Sequence, residues 1–377
     1  MRPASEAERA RLGETFAGLC RIDSSFGQER ACAERVAGEL RGMGIEVTED
    51  DAAEEAGAEC GNLLARIPGR VERSILLCAH LDTVEATAPI EPVVVDGGWE
   101  NARDAILGAD NKAAVAVMLE VARRASIEGS PVGIELLFTV SEENALAGAK
   151  AFDATRLRSA FGYVFDHASP IGEVVLASPT YFRIEADFHG RAAHAGIRPE
   201  AGRSAILAAA HAIGVMPHGR IDADSTANVG SIRGGVGSTN VVPERCRLLA
   251  EVRSLDPDRA EAIVAQVVDA MHDGASFAEC DVDLTTEQLF AGYRTRPSAP
   301  PVLAAEAALR ACGYEPERIV TGGGSDANAL AVAGFTAVNL ANGTERNHEP
   351  TERVSVAALD GMLDVALALL DEAARVG

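Results

Sequence analysis

The stretch Ile134-Glu135-Leu136-Leu137-Phe138-Thr139-Val140 is an almost continuous apolar run, and Ser141-Glu142-Glu143 follows it directly. A run of this length and composition predicts a strand that is buried on both faces of a sheet. Two adjacent carboxylates at the end of such a strand repel each other unless a positive charge lies near them. Glu142 and Glu143 therefore predict that this edge of the sheet binds cations.

Other polar residues occupy similar places along the chain. His80 and Asp82 follow a second apolar run, Asp110 opens a predicted helix, Asp166 ends a further strand, and His348 lies near the C-terminus. Open α/β sheets bind their ligands at the carboxyl ends of the strands. Imidazoles and carboxylates without paired thiolates suit zinc, with cobalt or manganese as alternatives. The sequence therefore predicts a site for two divalent metal ions.

Each of these residues also has a structural explanation. A single histidine at the end of a buried strand, such as His80, is often a hydrogen-bonded core residue. Asp82 is compatible with a turn or helix cap, and Asp110 with the N-cap of the helix that follows it. The metal site is favoured because all of these residues occur together at the ends of predicted elements.

Strands alternate with helices on both sides of the quoted stretch. This alternation predicts an α/β domain with a mixed, mostly parallel sheet that is flanked by helices. The predicted helices in this part are 5–20, 28–43 and 111–125, and the predicted strands are 62–67, 75–78, 134–140 and 161–165.

The pattern changes near Ser178-Pro179, where alternating half-exposed strands begin. The order β-α-β-β-α-β is that of a ferredoxin-like fold. The elements are strand 181–188, helix 202–215, strands 227–232 and 245–253, helix 257–271 and strand 280–289. We therefore expect an inserted α+β lid domain, 179–293, between the two parts of the metal-binding domain, 1–178 and 294–377.

The ordered motifs resemble those of the M20 metallopeptidases, from about Asp23 to Glu352. Two segments, 105–112 (AILGADNK) and 190–196 (GRAAHAG), are similar to the peptidase T-like branch. The motifs that carry the resemblance are His80-x-Asp82, Asp110-Asn111, Glu142-Glu143, Asp166 and His348.

The resemblance implies which residues hold the metals. One ion would be held by His80, Asp110 and Asp166, and the other by Asp110, Glu143 and His348. Asp110 would therefore bridge the two ions.

The resemblance also implies how the catalytic residues share the work. Glu142 would be the general base that takes a proton from the attacking water. Asp82 would accept the second ring N–H of His80 and fix its tautomer. The peptide bond between Asp110 and Asn111 is expected to be cis.

By the same resemblance, five residues would contact the substrate. Gly323 and Gly324 would form a wall of the site, and Asn240 and Arg253 would hold the substrate backbone or carboxylate. His194 would reach the active site of a partner subunit, which implies a homodimer formed through the lid. A surface loop remains the alternative for His194, and a structural salt bridge the alternative for Arg253.

The net charge limits which partners the protein is expected to bind, and the cysteines indicate its cellular compartment. A net charge of −23 disfavours nucleic acids and anionic membrane surfaces. Seven scattered cysteines without a CxxC pair predict reduced thiols, and the N-terminus lacks a signal-peptide pattern, so we expect a cytoplasmic protein. Only two lysines occur, Lys112 and Lys150. Their presence reflects either a compositional bias toward arginine or a need for a compact ammonium group.

We therefore expect a metal-dependent hydrolase that cleaves amide bonds in small peptides. An N-acyl amino acid amidohydrolase on the same scaffold is the alternative enzyme. A non-catalytic, metal-stabilised binding protein is the third possibility, but such a protein has no need of a base such as Glu142. The sequence does not distinguish an amino-, di-, tri- or carboxypeptidase.

Overall fold

The computed structural model describes residues 2–376 and divides the chain into two compact units. The first unit comprises Met1–Ala177 and Arg294–Gly377, and the second comprises Ser178–Tyr293. The second unit is called the lid below. None of the helices within residues 2–376 combines the length and apolarity needed to cross a bilayer.

The first part of the chain alternates between helices and strands. Its elements are α1 (Glu6–Cys20), α2 (Arg30–Gly42), β1 (Val47–Glu49), α3 (Ala53–Ala56), β2 (Leu63–Ile67), β3 (Ser74–His80), β4 (Pro92–Val95), β5 (Gly98–Asn101), α4 (Ala109–Glu128), β6 (Gly133–Thr139), α5 (Ala147–Ala151), β7 (Gly162–His167) and β8 (Glu173–Ser178).

The lid has the predicted order of strands and helices. Its elements are β9 (Thr180–His189), α6 (Ala205–Val215), β10 (Gly219–Arg220), β11 (Ser225–Gly234), β12 (Arg245–Ser254), α7 (Pro257–Phe277) and β13 (Asp281–Phe290). The antiparallel sheet order β10-β11-β12-β9-β13 is that of a ferredoxin-like fold with one short additional strand. Helices α6 and α7 cover one face and enclose a separate apolar core, which includes Ile184, Phe188 and Leu248.

The chain then completes the first unit. The remaining elements are β14 (Tyr293–Arg294), α8 (Pro300–Ala311), β15 (Glu317–Val320), α9 (Asp326–Val332), β16 (Ala337–Ala341), β17 (Thr344–Glu345), β18 (Arg353–Ser355) and α10 (Val356–Arg375).

The main sheet of the first unit has the order β1-β2-β6-β3-β7-β16-β8-β14, and β15 also pairs with β8. Its central strands β6, β3, β7 and β16 are parallel, because β3 pairs with both β6 and β7 and β16 pairs with β7 in that sense. The predicted fold class, a mixed and mostly parallel sheet with an inserted ferredoxin-like lid, is confirmed.

The quoted stretch occupies the middle of this sheet. All seven residues of β6 are buried, and α4 is buried along most of its length. Alanine, leucine and valine dominate the core, which joins the sheet to α1, α2, α4, α8 and α10. Burial of this apolar surface, at about 25 cal/mol per Å², is the main source of stability for the unit.

A second sheet in the first unit, with the order β17-β18-β5-β4, was not predicted. Its β4–β5 hairpin turns at Asp96 and Gly97, which have φ values of 48° and 74°. An Asp-Gly pair that follows an apolar strand is a strong signal for a type I′ hairpin. This signal was present in the sequence, but the strand that pairs with β5 comes from residues 353–355, more than 250 residues later.

Candidate metal centre

The parallel strands bring the predicted ligands to one edge of the sheet. His80 is the last residue of β3, Glu142 and Glu143 follow β6, and Asp166 is near the end of β7. His80 lies directly beside Thr139 of β6 in the strand register. Because neighbouring parallel strands end at the same edge, side chains that are far apart in sequence meet there.

Asp110 lies between the two histidines. Its Oδ1 is 3.3 Å from Nε2 of His80, and its Oδ2 is 3.4 Å from Nε2 of His348. Nε2 of His80 is also 3.7 Å from Oδ1 of Asp166, and Nε2 of His348 is 2.8 Å from Oε1 of Glu143. The structure therefore brings all five predicted ligands together, with one oxygen of Asp110 facing each histidine.

Glu142 belongs to the same cluster. Ligand atoms of His80, Glu142 and Asp166 lie within 4.8 Å of one another, as do those of His80, Asp110 and Glu143. The His348 side chain is 49% exposed, so the cluster is open to solvent on that side. A catalytic metal site needs such an open position, whereas a structural site is closed.

Burial and mutual repulsion control the charges of this cluster. Burial, together with repulsion by neighbouring carboxylates, raises the pKa of Glu142 and of Asp166 well above the ordinary range. Burial also acts on Asp110, but the hydrogen bonds from His348 and His80 hold its pKa below the usual value. The carboxylates Asp110 and Glu143 raise the pKa of His348 to about 10. Four carboxylates and two imidazoles therefore form a site that favours positive charge, and this donor set fits two divalent cations.

Asp82 supports the Glu142–Glu143 pair through the backbone. Its Oδ1 accepts the N–H of Glu142 and its Oδ2 accepts the N–H of Glu143, each at 3.0 Å. Nδ1 of His80 is 3.1 Å from the backbone oxygen of Asp82 and 3.4 Å from its Oδ1. The nearest acceptor for the second ring N–H of His80 is therefore the carbonyl oxygen and not the carboxylate. The sequence did not indicate that the Asp82 carboxylate accepts the backbone N–H groups of Glu142 and Glu143.

Glu29 is a further carboxylate that the sequence analysis missed. It is fully buried, and its Oε1 accepts the N–H and the Oγ–H of Ser141, each at 3.1 Å. The same oxygen accepts the N–H of Gly27 at 2.6 Å. Ser141 has a φ of 49°, so this contact holds an uncommon backbone conformation immediately before Glu142.

Two residues outside the predicted set support Asp166 and the strand ends. The side-chain amide of Asn339 accepts the N–H of Asp166 and donates to its C=O, each at 3.0 Å. Asp326 is buried below the site, where its Oδ2 accepts the Oγ1–H of Thr139 and lies 3.8 Å from Sγ of Cys78. Burial raises the pKa of Asp326 to about 6.

The peptide bond between Asp110 and Asn111 is cis, as expected. Two residues later, the Lys112 side chain is fully buried and its Nζ donates to the backbone oxygen of Ile22 at 2.5 Å. Lys150, in contrast, is exposed.

The predicted substrate-binding residues are divided between the two units. Gly323 and Gly324 precede α9 in the first unit. In the lid, Ala195 donates its N–H to the backbone oxygen of Asn240, which brings Asn240 beside the exposed His194.

Arg253 is at the other end of the lid sheet from this pair. Its guanidinium lies 4.1 Å from the centre of the Tyr181 ring and 3.2 Å from Oε2 of Glu251. The structural salt bridge that the sequence left open for Arg253 is therefore present.

Comparisons with known proteins cover nearly the whole chain. A model of the peptidase dimerisation domain matches residues 179–277, and a model of peptidase family M28 matches residues 62–177. The uncharacterised protein YqjE of Bacillus subtilis is 35% identical over 97% of this chain and 99% of its own length.

Two solved structures are similar along the same length. The aminopeptidase PepT from Bacillus cereus is 36% identical, with a TM-score of 0.87 and coverage of 97% of this chain and 99% of that chain. A tripeptidase from Staphylococcus aureus is 34% identical, with a TM-score of 0.92 and the same coverage. The M28 match is confined to the metal-bearing segment, whereas these relatives align across both units.

Proposed function

We propose that this chain, which belongs to the M20 family of metallopeptidases, hydrolyses amide bonds in small peptides at the metal centre. The observation that carries the proposal is the position of Asp110 between His80 and His348, with Glu142 in the same cluster. Such a cluster, open to solvent and with a carboxylate to spare beyond the ligands, is suited to catalysis and not only to structural metal binding.

The ligand set supports two zinc ions, with cobalt or manganese as alternatives. His80, Asp110 and Asp166 would hold one ion, and Asp110, Glu143 and His348 would hold the other. When bound, two such cations lower the pKa of a water to about 7 and polarise the scissile carbonyl.

Glu142 is the residue that moves the proton. Its carboxylate accepts a proton from the attacking water and then delivers it to the leaving amine. Asp82 holds the backbone N–H groups of Glu142 and Glu143, so that the base and its neighbouring ligand keep a fixed separation.

The relatives favour short peptides with a free N-terminus, because two of the matched structures are an aminopeptidase and a tripeptidase. Arg253 suits a substrate carboxylate, although its contacts with Glu251 and Tyr181 must then be shared or exchanged. Asn240 holds the substrate backbone, and Gly323 and Gly324 line the site.

Turnover of a substrate panel tests this function. The panel contains di-, tri- and tetrapeptides, the same tripeptide with an acetylated N-terminus, and N-acyl amino acids, each with added zinc, cobalt or manganese. We expect cleavage of the free tripeptide and little cleavage of its acetylated form. Turnover of N-acyl amino acids alone would replace the peptidase by the amidohydrolase alternative. Two bound ions without turnover of any substrate would indicate the non-catalytic alternative.

We also propose a homodimer formed through the lid, in which His194 donates a hydrogen bond to the oxyanion in the partner's site. The match to a peptidase dimerisation domain supports this assembly. Leu207 and Phe277 on the lid helices are 51% and 58% exposed, and apolar surface of this kind commonly marks an interface.

A mixing experiment tests the role of His194. The variants His194→Ala and Glu142→Gln, each nearly inactive, are refolded together so that mixed dimers form. One site in each mixed dimer then has both wild-type groups, and random pairing restores about a quarter of wild-type activity. The loss in His194→Ala alone is expected to be large, because an oxyanion donor is worth about 3–4 kcal/mol. Proven exchange of subunits without recovered activity would contradict the role across the interface.

The proposed compartment is the cytoplasm. All seven cysteines are free thiols, and five of them are buried. Unpaired cysteines in this number are typical of a reducing compartment.

A further inference from the structure

Glu352 makes an unusual set of contacts with the loop that carries Asp110. Its side chain is buried, and its Oε2 accepts the N–H groups of Leu107 and Gly108, each at 2.8 Å. Its Oε1 accepts the N–H of Asp110 at 2.9 Å. One carboxylate therefore holds three backbone groups of a loop that precedes it by more than 240 residues.

The backbone of this loop explains why an acceptor is needed. Gly108 has a φ of 73°, and Asp110 and Asn111 have φ and ψ values outside the helical range although they begin α4. The N–H groups of Leu107 and Gly108 precede α4, and that of Asp110 lies in its first turn, so none of the three has a partner within the helix. Leaving them unpaired in a buried position would cost about 1–3 kcal/mol each. Glu352 accepts hydrogen bonds from all three groups and thereby fixes the position of the Asp110 backbone.

Glu352 also belongs to the segment that supplies His348. Its own N–H donates to the backbone oxygen of Glu349 at 2.9 Å, which closes a turn only one residue after His348. Nε2 of His348 lies 3.4 Å from Oδ2 of Asp110. A single short segment therefore supplies one ligand and holds the backbone of another.

We propose that Glu352 is a positioning residue that fixes Asp110 relative to His348 and thereby sets the affinity of the site for both metal ions. The inference rests on the proposed metal-dependent function, in which Asp110 contacts both ions. A glutamine at this position has only one oxygen, and its NH₂ group would face an N–H donor. Glu352→Gln therefore loosens the Asp110 loop while it keeps the size of the side chain.

Glu135 provides a matched control. It is also a buried glutamate, and its Oε2 accepts the N–H groups of Arg158 and Ser159, each at 2.8 Å. It lies near the start of β6, whereas Glu142 follows the end of that strand. Glu135→Gln therefore causes a similar loss of buried backbone hydrogen bonds at the opposite edge of the sheet, and it also removes the ion pair with Arg66.

The experiment measures zinc dissociation constants for the purified protein by competition with a chromophoric chelator, together with the melting temperature. We expect Glu352→Gln to raise the dissociation constants of both zinc ions by about 10–100-fold, the usual effect of losing a residue that orients a ligand. Glu135→Gln should lower the melting temperature by a comparable amount and leave both constants unchanged.

Several results would overturn the inference. Zinc dissociation constants for Glu352→Gln within twofold of those for Glu135→Gln would show that Glu352 only stabilises the fold. Weaker binding of one ion alone would contradict an action of Glu352 through Asp110. If Glu352→Gln does not fold, Glu352→Asp and Glu135→Asp are compared in the same way, because a shorter carboxylate keeps the charge but not the reach. A wild-type protein that binds no metal would instead defeat the proposed function itself.

Discussion

Replacing Glu142 by glutamine should separate the chemistry of this site from its ability to hold metal. Glutamine keeps the size of the side chain but is not a base. The backbone N–H groups of Glu142 and Glu143 are held by Asp82, and these hydrogen bonds do not depend on the charge of the Glu142 side chain. The remaining carboxylates and both histidines stay in place, so we expect two ions per chain in the variant.

The size of the effect follows from the position of Glu142. General-base catalysis contributes about 10²–10⁴-fold, which corresponds to about 2.7–5.4 kcal/mol at 1.36 kcal/mol per tenfold. Glu142 lies in one cluster with His80 and Asp166, so its carboxylate is close to the place where an ion would be held. Because the same carboxyl group also protonates the leaving amine, the loss in kcat should lie at the upper end of that range.

Glu143→Gln is the matched control for this test. Oε1 of Glu143 lies 2.8 Å from Nε2 of His348, so its replacement removes a proposed ligand. We expect Glu143→Gln to lose bound metal and activity together, whereas Glu142→Gln loses activity alone. The measurements are elemental analysis and kcat on the preferred peptide at one fixed metal concentration.

Two outcomes would refute the assignment of Glu142. More than a tenth of wild-type kcat with full metal content would show that Glu142 is not the base. Loss of an ion from Glu142→Gln would show that it is a ligand, a role compatible with its place beside His80 and Asp166.

Three further predictions concern stability and metal dependence. Glu8→Gln leaves the buried Arg124, whose Nε is 2.7 Å from the carboxylate, without its charged partner and should cost about 3–5 kcal/mol in urea unfolding at pH 7. Burial opposes ionisation of Glu8, but its arginine partners hold its pKa well below the usual value of 4.5. This stability is therefore fully present above about pH 4.5 and is lost gradually as the pH falls toward the lowered pKa. A gap between wild type and Glu8→Gln that did not narrow between pH 4.5 and pH 3 would contradict this. Lys112→Arg places a larger side chain in a fully buried position and should lower the free energy of unfolding by about 1–3 kcal/mol. Lys150→Arg, at an exposed position, should change the melting temperature little. Equal effects of the two substitutions would favour the compositional explanation for the two lysines. Removal of divalent ions with a chelator should abolish turnover. Zinc added to 100 times its dissociation constant should restore turnover and raise the free energy of unfolding by about 2.7 kcal/mol. A melting temperature that does not change with zinc would contradict binding to the folded site.

The fold was predictable where the hydrophobic pattern has a single solution. The stretch 134–140 is too apolar for a half-exposed strand, and β6 is buried along its whole length in the middle of the sheet. The lid strands alternate between apolar and polar residues, and the structure places them in an antiparallel sheet with one covered face. Boundaries were less predictable: α7 continues to Phe277, six residues beyond the predicted end, because Gly274 and Ala275 still pack against the lid core.

The small sheet was missed because its strands are short and its pairing is distant. β18 has only three residues, and its partner β5 lies more than 250 residues earlier in the chain. Local periodicity contains no information about such a pairing. The Asp96-Gly97 turn predicts the β4–β5 hairpin, but it does not indicate what pairs with the hairpin's other edge.

The candidate site divides into residues that sequence reasoning finds and residues that it does not. Ligand candidates such as His80 and Asp166 stand at the ends of apolar strands, and the rule that parallel strands end at one edge brings them together before any coordinates are known. Glu29 and Glu352 follow no such rule, because they accept hydrogen bonds from the backbone and their function depends on the conformation of distant loops. In sequence they are two glutamates among 57 acidic residues, and most acidic residues in a protein are solvated.

The two kinds of buried carboxylate also differ in what compensates their charge. Asp110 and Glu143 face imidazoles, and their repulsion is relieved by positive charge at the site. Glu352 accepts three backbone N–H groups, and burial raises its pKa to about 7 despite those hydrogen bonds. A carboxylate kept in so costly an environment is explained by what it holds: the loop that places Asp110 opposite His348. The loops that carry the ligands are therefore ordered by the protein's own carboxylates, and the energetic cost of that order is met during folding, before a metal ion binds.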